Sequence, residues 1–159
     1  MIFCGIDPGK SGHIVFINED AEVLEELPMP WSGDRLNAAL AMERMSAYTD
    51  KRLRVTIEKV GARPGNGVAS CFKFGMAYGA ISVIVDLVAC PVHFISPATW
   101  KKRMLTGVNK DDKKAASIEA AKNLFPGLRP KLQTKSSHDL AEAALLALYG
   151  QRMWLRGEF

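Results

Sequence analysis

Four acidic side chains in this chain stand where carboxylates could do chemistry. Asp7 closes the short apolar run Met1 to Ile6, and Glu58 closes the run Leu53 to Ile57. Asp139 and Glu142 open a late stretch in which Leu140, Ala141, Ala143, Ala144, Leu145, Leu146, Ala147 and Leu148 make a helix apolar nearly all round. Three residues apart, they share one face of its first turn. Carboxylates in such surroundings are costly unless paired or bound to a cation. Four of them without a soft ligand suit hard, oxygen-preferring ions such as Mg²⁺ or Mn²⁺. Two such ions roughly 4 Å apart would activate water and stabilise the leaving oxygen at a phosphodiester. Taken singly, each residue has a plainer reading. Asp7-Pro8-Gly9 also suits a hairpin turn, and acidic residues in an exposed first turn suit the helix dipole. Gly9-Lys10-Ser11 resembles the end of a phosphate-binding loop, but three residues separate Gly5 from Gly9 where that pattern needs four.

The elements that must position these groups follow from periodicity and punctuation. Met1 to Ile6 reads as a buried strand, and Pro8 and Gly9 force a turn into a hairpin partner, His13 to Asn18. Glu22 to Leu27 continues the meander. Pro28, Pro30, Ser32 and Gly33 make a loop, and Asp34 caps a helix to about Thr49. After the strand ending at Glu58, residues 61–67 form an irregular loop rich in glycine. Val68 to Val88 is a long apolar helix, with Gly75 and Gly79 on one face. Pro91 to Ile95 is a strand and Ala98 to Leu105 a short helix. Asp111 or Asp112 caps a helix through Phe125, Leu128 to Lys135 is a basic loop, and Ser136 or Ser137 caps the last helix, His138 to about Tyr149. The order β-β-β-α-β-α-β-α-α-α is that of a ribonuclease H-like α/β domain, a mixed five-stranded sheet flanked by helices. In that fold, strand-end carboxylates and a late-helix carboxylate converge.

The composition agrees with one globular domain over residues 1–159: 48% hydrophobic, 24% charged. No uninterrupted apolar run reaches the roughly 20 residues of a membrane span; the longest, Ala80 to Cys90, contains Ser82 and Asp86. Cys4, Cys71 and Cys90 share no metal-ligand spacing and read as buried thiols of a reducing compartment. The net charge of +4 conceals an asymmetry. Residues 1–50 carry three Lys/Arg and nine Asp/Glu, whereas residues 51–159 carry eighteen and eight, most densely from Lys101 to Lys135. A one-sided basic surface is the electrostatic footprint of a nucleic-acid binder, though also of an ordinary solvated face.

Joined together, Gly5-Ile6-Asp7-Pro8-Gly9, Ile57-Glu58-Lys59-Val60 and Asp139-x-x-Glu142 resemble the RuvC-type Holliday-junction resolvases over nearly the whole chain. Pro64-Gly65-Asn66-Gly67-Val68, Phe72-Lys73-Phe74-Gly75, Trp100-Lys101-Lys102, Ala141-Glu142-Ala143 and Leu148-Tyr149-Gly150 are closer to the bacteriophage branch and the plant chloroplast resolvases. The resemblance implies a homodimer that nicks two opposed strands of a four-way junction. It places Asp7, Glu58, Asp139 and Glu142 as ligands of two Mg²⁺ ions, with Mn²⁺ able to substitute. Lys113, six residues after Gly107, falls where the family has a lysine near the scissile phosphate, and Lys102 matches a second basic position. Lys59, Arg63, Lys73, Lys101, Lys102, Arg103, Lys110, Lys114 and Lys135 are the expected DNA contacts. Two positions depart from the pattern. The last acidic residue is Glu142 where Asp is common, and Gly61 stands where bacterial members carry a base-stacking aromatic; Phe72, Phe74 or Tyr78 could substitute, although their helical spacing also suits a core. With no transit extension, the expected setting is the cytoplasm of a bacterial cell, possibly phage-encoded, with no membrane partner. Three other readings compete: a broader branched-DNA or flap nuclease, an inactive junction-binding protein, and an ATP-binding lobe of the actin and sugar-kinase type. The third needs two lobes, and binding alone does not need four anions beside phosphate.

Overall fold

The structure is a computed structural model. It describes residues 1–59, 61, 67–108 and 112–159, apart from the side chains of Ser70 and Lys113. In chain order the elements are β1 (Ile2–Ile6), β2 (His13–Ile17), β3 (Val23–Pro28), β4 (Trp31–Ser32), β5 (Arg35–Leu36), α1 (Ala38–Ser46), β6 (Leu53–Glu58), α2 (Val68–Val88), β7 (Val92–Ile95), α3 (Pro97–Met104), α4 (Lys113–Leu124) and α5 (His138–Leu155). Five strands form one sheet in the order β3-β2-β1-β6-β7. β1 pairs antiparallel with β2 and parallel with β6, and β7 extends the parallel half. This is the mixed, helix-flanked sheet that the sequence implied.

Side-chain alternation assigns the two faces. Phe3, Val15 and Ile17 pack with α3, α4 and α5; Ile2, Cys4, Ile6, Ile14, Phe16, Val55 and Ile57 pack with α1 and α2. α5 is buried along most of its length, as its ring of apolar residues requires. Two glycines let it lie close to the sheet. A Cβ on Gly5 would fall 2.1 Å from the Ala143 carbonyl oxygen, and one on Gly150 would fall 2.1 Å from the Thr56 hydroxyl. Backbone thus meets backbone at β1, and helix meets strand again at β6. These contacts fix where the first turn of α5 sits over the strand ends.

Several boundaries differ from the sequence reading. Ser32-Gly33-Asp34 is the turn of a small hairpin, β4–β5, with Gly33 at φ 61°. The cap of α1 is therefore Asn37, which accepts the Leu40 N–H, not Asp34. The stretch read as a basic loop is built from 3-10 helix at Pro126–Lys131 and Lys135–Ser137, because Leu128 and Leu132 are anchored in the core. α5 runs on to Leu155. α2 buries Ala77, Ile81, Ile84 and Val85 on the sheet and exposes Val68, Phe72, Met76, Val83 and Leu87. Its segment Cys71–Val88, with a mean hydropathy of 1.6, is long and apolar enough to cross a membrane by length and composition. Counting uninterrupted runs missed this, since Ser82 and Asp86 break the run without lowering its average much.

Candidate active site

β1 and β6 run parallel with Ile6 opposite Ile57, so the next residues, Asp7 and Glu58, leave neighbouring strands side by side. Alternation puts both on the face that carries Phe3, Gly5 and Thr56, the face covered by α5. Ala143 lies over Gly5, and one turn earlier α5 presents Asp139 and Glu142 toward the same strand ends. All four carboxylates are less than a tenth exposed. The plain alternative for Asp139 and Glu142, a solvated first turn, is thereby excluded.

Each carboxylate is engaged. Asp7 accepts the Gly9 N–H at 3.1 Å through Oδ1, which closes the Asp-Pro-Gly turn. Glu58 Oε1 accepts the indole N–H of Trp100 at 2.9 Å. Asp139 Oδ1 lies 2.8 Å from His138 Nε2. Glu142 accepts from Lys101 Nζ through both oxygens, at 2.7 and 2.8 Å, and from the Ser117 hydroxyl at 3.0 Å. As these side chains are placed, no three carboxylate, imidazole or thiol groups among the described residues stand close enough to hold one ion. The donor set nevertheless fits a hard cation: oxygen only, buried and mutually repelling. The repulsion falls on Asp7, whose carboxyl is pushed up to about 8 by burial first, then by Glu58, with Asp139 and Glu142 adding and the Gly9 N–H opposing.

This has a consequence for stability. The folded chain keeps a proton on Asp7 that an unfolded chain releases near pH ~4. Between there and about pH 8 the folded state binds more protons, so this carboxyl makes stability fall as pH rises. In the absence of divalent ions, Tm should decline from pH 5 to 8, and Asp7→Asn should flatten the profile. Identical wild-type and Asp7→Asn profiles in a thermal-denaturation series would show that Asp7 carries no such shift.

The expected DNA contacts divide into groups. Lys59, Lys102 and Lys114 are exposed. Lys73, Arg103 and Lys135 are partly or largely exposed and hold surface ion pairs with Asp34, Glu158 and Asp112, at 3.2, 2.8 and 3.0 Å. Such pairs are weak and can be exchanged for phosphate. Lys101 differs: it points inward to Glu142 rather than lying on the outer basic face. Arg63 and Lys110 lie outside the described residues, as does the side chain of Lys113, whose backbone opens α4. Phe72 is exposed, whereas Tyr78 packs against Phe94 and Phe74, as core spacing implied. Trp100, Ser117 and His138 had no role in the sequence reading. A single tryptophan in the charged segment Thr99-Trp100-Lys101-Lys102-Arg103, and a lone serine on the buried side of an alanine-rich helix, were the available signals.

The strand order, the flanking helices and the strand-end carboxylates define a ribonuclease H-like fold of the RuvC arrangement. No protein-family model and no curated protein sequence matches the chain. Solved structures do. The chain is similar to the RuvC of Thermus thermophilus, with a TM-score of 0.65 and 20% identity, covering 99% of this chain and 97% of that one. It is similar also to T. thermophilus RuvC in complex with a Holliday junction substrate, with a TM-score of 0.63 at the same identity and coverage. At that identity the likeness establishes the fold.

Proposed function

We propose that this protein is a divalent-metal-dependent endonuclease that resolves four-way DNA junctions by paired, symmetric nicks. The observation that carries the reading is the gathering of four buried carboxylates from β1, β6 and α5 at one end of a RuvC-like sheet. The full-length likeness to a RuvC solved on a Holliday junction supports the substrate class, and the motifs around Trp100 and Glu142 support kinship with the phage and chloroplast branch. Asp7, Glu58, Asp139 and Glu142 would hold two Mg²⁺ or Mn²⁺ ions, which supply an activated water and a stabilised leaving oxygen. Trp100 orients Glu58 by its indole N–H, and Ser117 orients Glu142. Lys59, Lys102 and Lys114, with Lys113 beside them in sequence, would draw in the phosphate backbone and offset its charge against the carboxylates. The exposed side of α2 offers the contact for the second chain that paired nicking needs.

The test is a synthetic four-way junction labelled on each strand, set beside a duplex and a flap, with Mg²⁺ or with chelator. Symmetric nicks in the junction alone, dependent on Mg²⁺, are expected. Equal cutting of the flap would give the broader branch nuclease, and tight junction binding without cutting in Mg²⁺ or Mn²⁺ would give the binding protein.

A further inference from the structure

Two consecutive residues of α3 reach two different carboxylates of the cluster. Trp100 is fully buried and donates to Glu58; Lys101 places its ammonium on both oxygens of Glu142. The same ammonium stands 5.1 Å over the Trp100 ring. Lys102 and Arg103, next on the helix, are exposed, and Arg103 is spent on Glu158 at the surface. Lys101 is thus the cation α3 directs into the site. An exposed Lys–Glu pair would be worth little. Here the Glu142 side chain is 10% exposed and a buried carboxylate requires a compensating charge.

We propose that Lys101 is the resident counter-ion of the cluster, and that a divalent ion gains Glu142 only by displacing it. The inference rests on the metal-binding reading above and adds the competition. Glu142 already accepts from the ammonium at 2.7 and 2.8 Å and from the Ser117 hydroxyl at 3.0 Å, so an ion coordinated directly to it would meet both occupied acceptor sites and a cation at contact distance. In the present placement Glu142 is held on the lysine and serine side. The Lys101 side chain is 26% exposed, so a route outward to water is open, and four rotatable carbons allow it to take that route.

Mn²⁺ titration of the full DNA-free chain by calorimetry tests this. Lys101→Met keeps the stem and removes the charge, and should bind Mn²⁺ at least about tenfold tighter than wild type, while Lys101→Arg should stay near wild type. A second measurement needs no variant. The rate of reductive methylation at Lys101 in the wild-type chain, read by mass spectrometry, should rise several-fold when Mn²⁺ saturates the site, with Lys102 unchanged. Unchanged Lys101 reactivity at saturating Mn²⁺, or equal Mn²⁺ affinity in folded wild type and Lys101→Met, would overturn the competition while leaving the metal site standing. No Mn²⁺ binding by either chain would overturn both.

Discussion

Under the proposed function, Asp7→Asn should abolish Mg²⁺-dependent cleavage of a four-way junction, by roughly 10³-fold or more in single-turnover rate, and should leave junction binding as tight as in wild type or tighter. The geometry gives both halves of this result. Asparagine has the size of aspartate and keeps an oxygen for the Gly9 N–H, so the turn after β1 survives. What is lost is a charge in the position where burial and three other carboxylates act on it at once. Under the proposed function Asp7 would be a ligand of an ion held there, whereas without an ion burial and Glu58 keep its carboxyl protonated up to about pH 8, so it adds little repulsion toward phosphate. Removing it would cancel the metal chemistry while leaving the metal-free charge that faces phosphate little changed, so binding is kept. The two effects separate in paired experiments: cleavage under Mg²⁺ with enzyme in excess, and binding by fluorescence anisotropy under chelator. A variant that cleaves near the wild-type rate removes Asp7 from the site, and one that neither cleaves nor binds points to a damaged fold.

The acidic face was legible because its determinants are local. Alternation along Phe3, Gly5 and Asp7 is enough to put Asp7 on one face, and the same period puts Glu58 with Thr56. The apolar ring of the last helix announces a buried helix, whereas the burial of Asp139 and Glu142 in its first turn, for which an exposed turn was the plainer reading, came only with the structure. What was not legible depends on long separations or on signals too short to have a period. Trp100 meets Glu58, and Lys101 meets Glu142, across about forty residues of chain, so Lys101 reads from sequence as one more cation of a basic run. The β4–β5 hairpin has two residues per strand, and a pattern of two cannot show alternation. In the segment after α4, charge hid the structure: Arg129, Lys131 and Lys135 suggest a solvated loop, while Leu128 and Leu132 hold it against the core.

The second large effect concerns symmetry. A four-way junction presents two equivalent strands, and one chain carries one set of four carboxylates. Coordinated cutting therefore calls for two chains about a two-fold axis, the isologous arrangement. The exposed side of α2 is the surface we propose for that contact. Its sheet side is complete with Ala77, Ile81, Ile84 and Val85, yet Val68, Phe72, Met76, Val83 and Leu87 stand out from the opposite side, 41% to 88% exposed. A Cβ on Gly75 or Gly79 would meet nothing within 4 Å among the described residues, so both glycines lie open on that side of the helix. Spacings of four and seven residues along this stripe match the seam of a helix pair, and glycines within it allow close approach. Met76→Glu or Ala80→Glu leaves the four sheet-facing residues untouched, so the chain should fold with a circular-dichroism spectrum like that of wild type. It should run as a monomer in sedimentation, nick junctions on one strand, and give at least about tenfold fewer paired cuts. Attachment of the wild-type helix to lipid vesicles, in place of self-association, would assign the stripe to a membrane surface. A wild-type chain that is monomeric at micromolar concentration with and without junction DNA, yet still makes paired cuts, would refute the dimer.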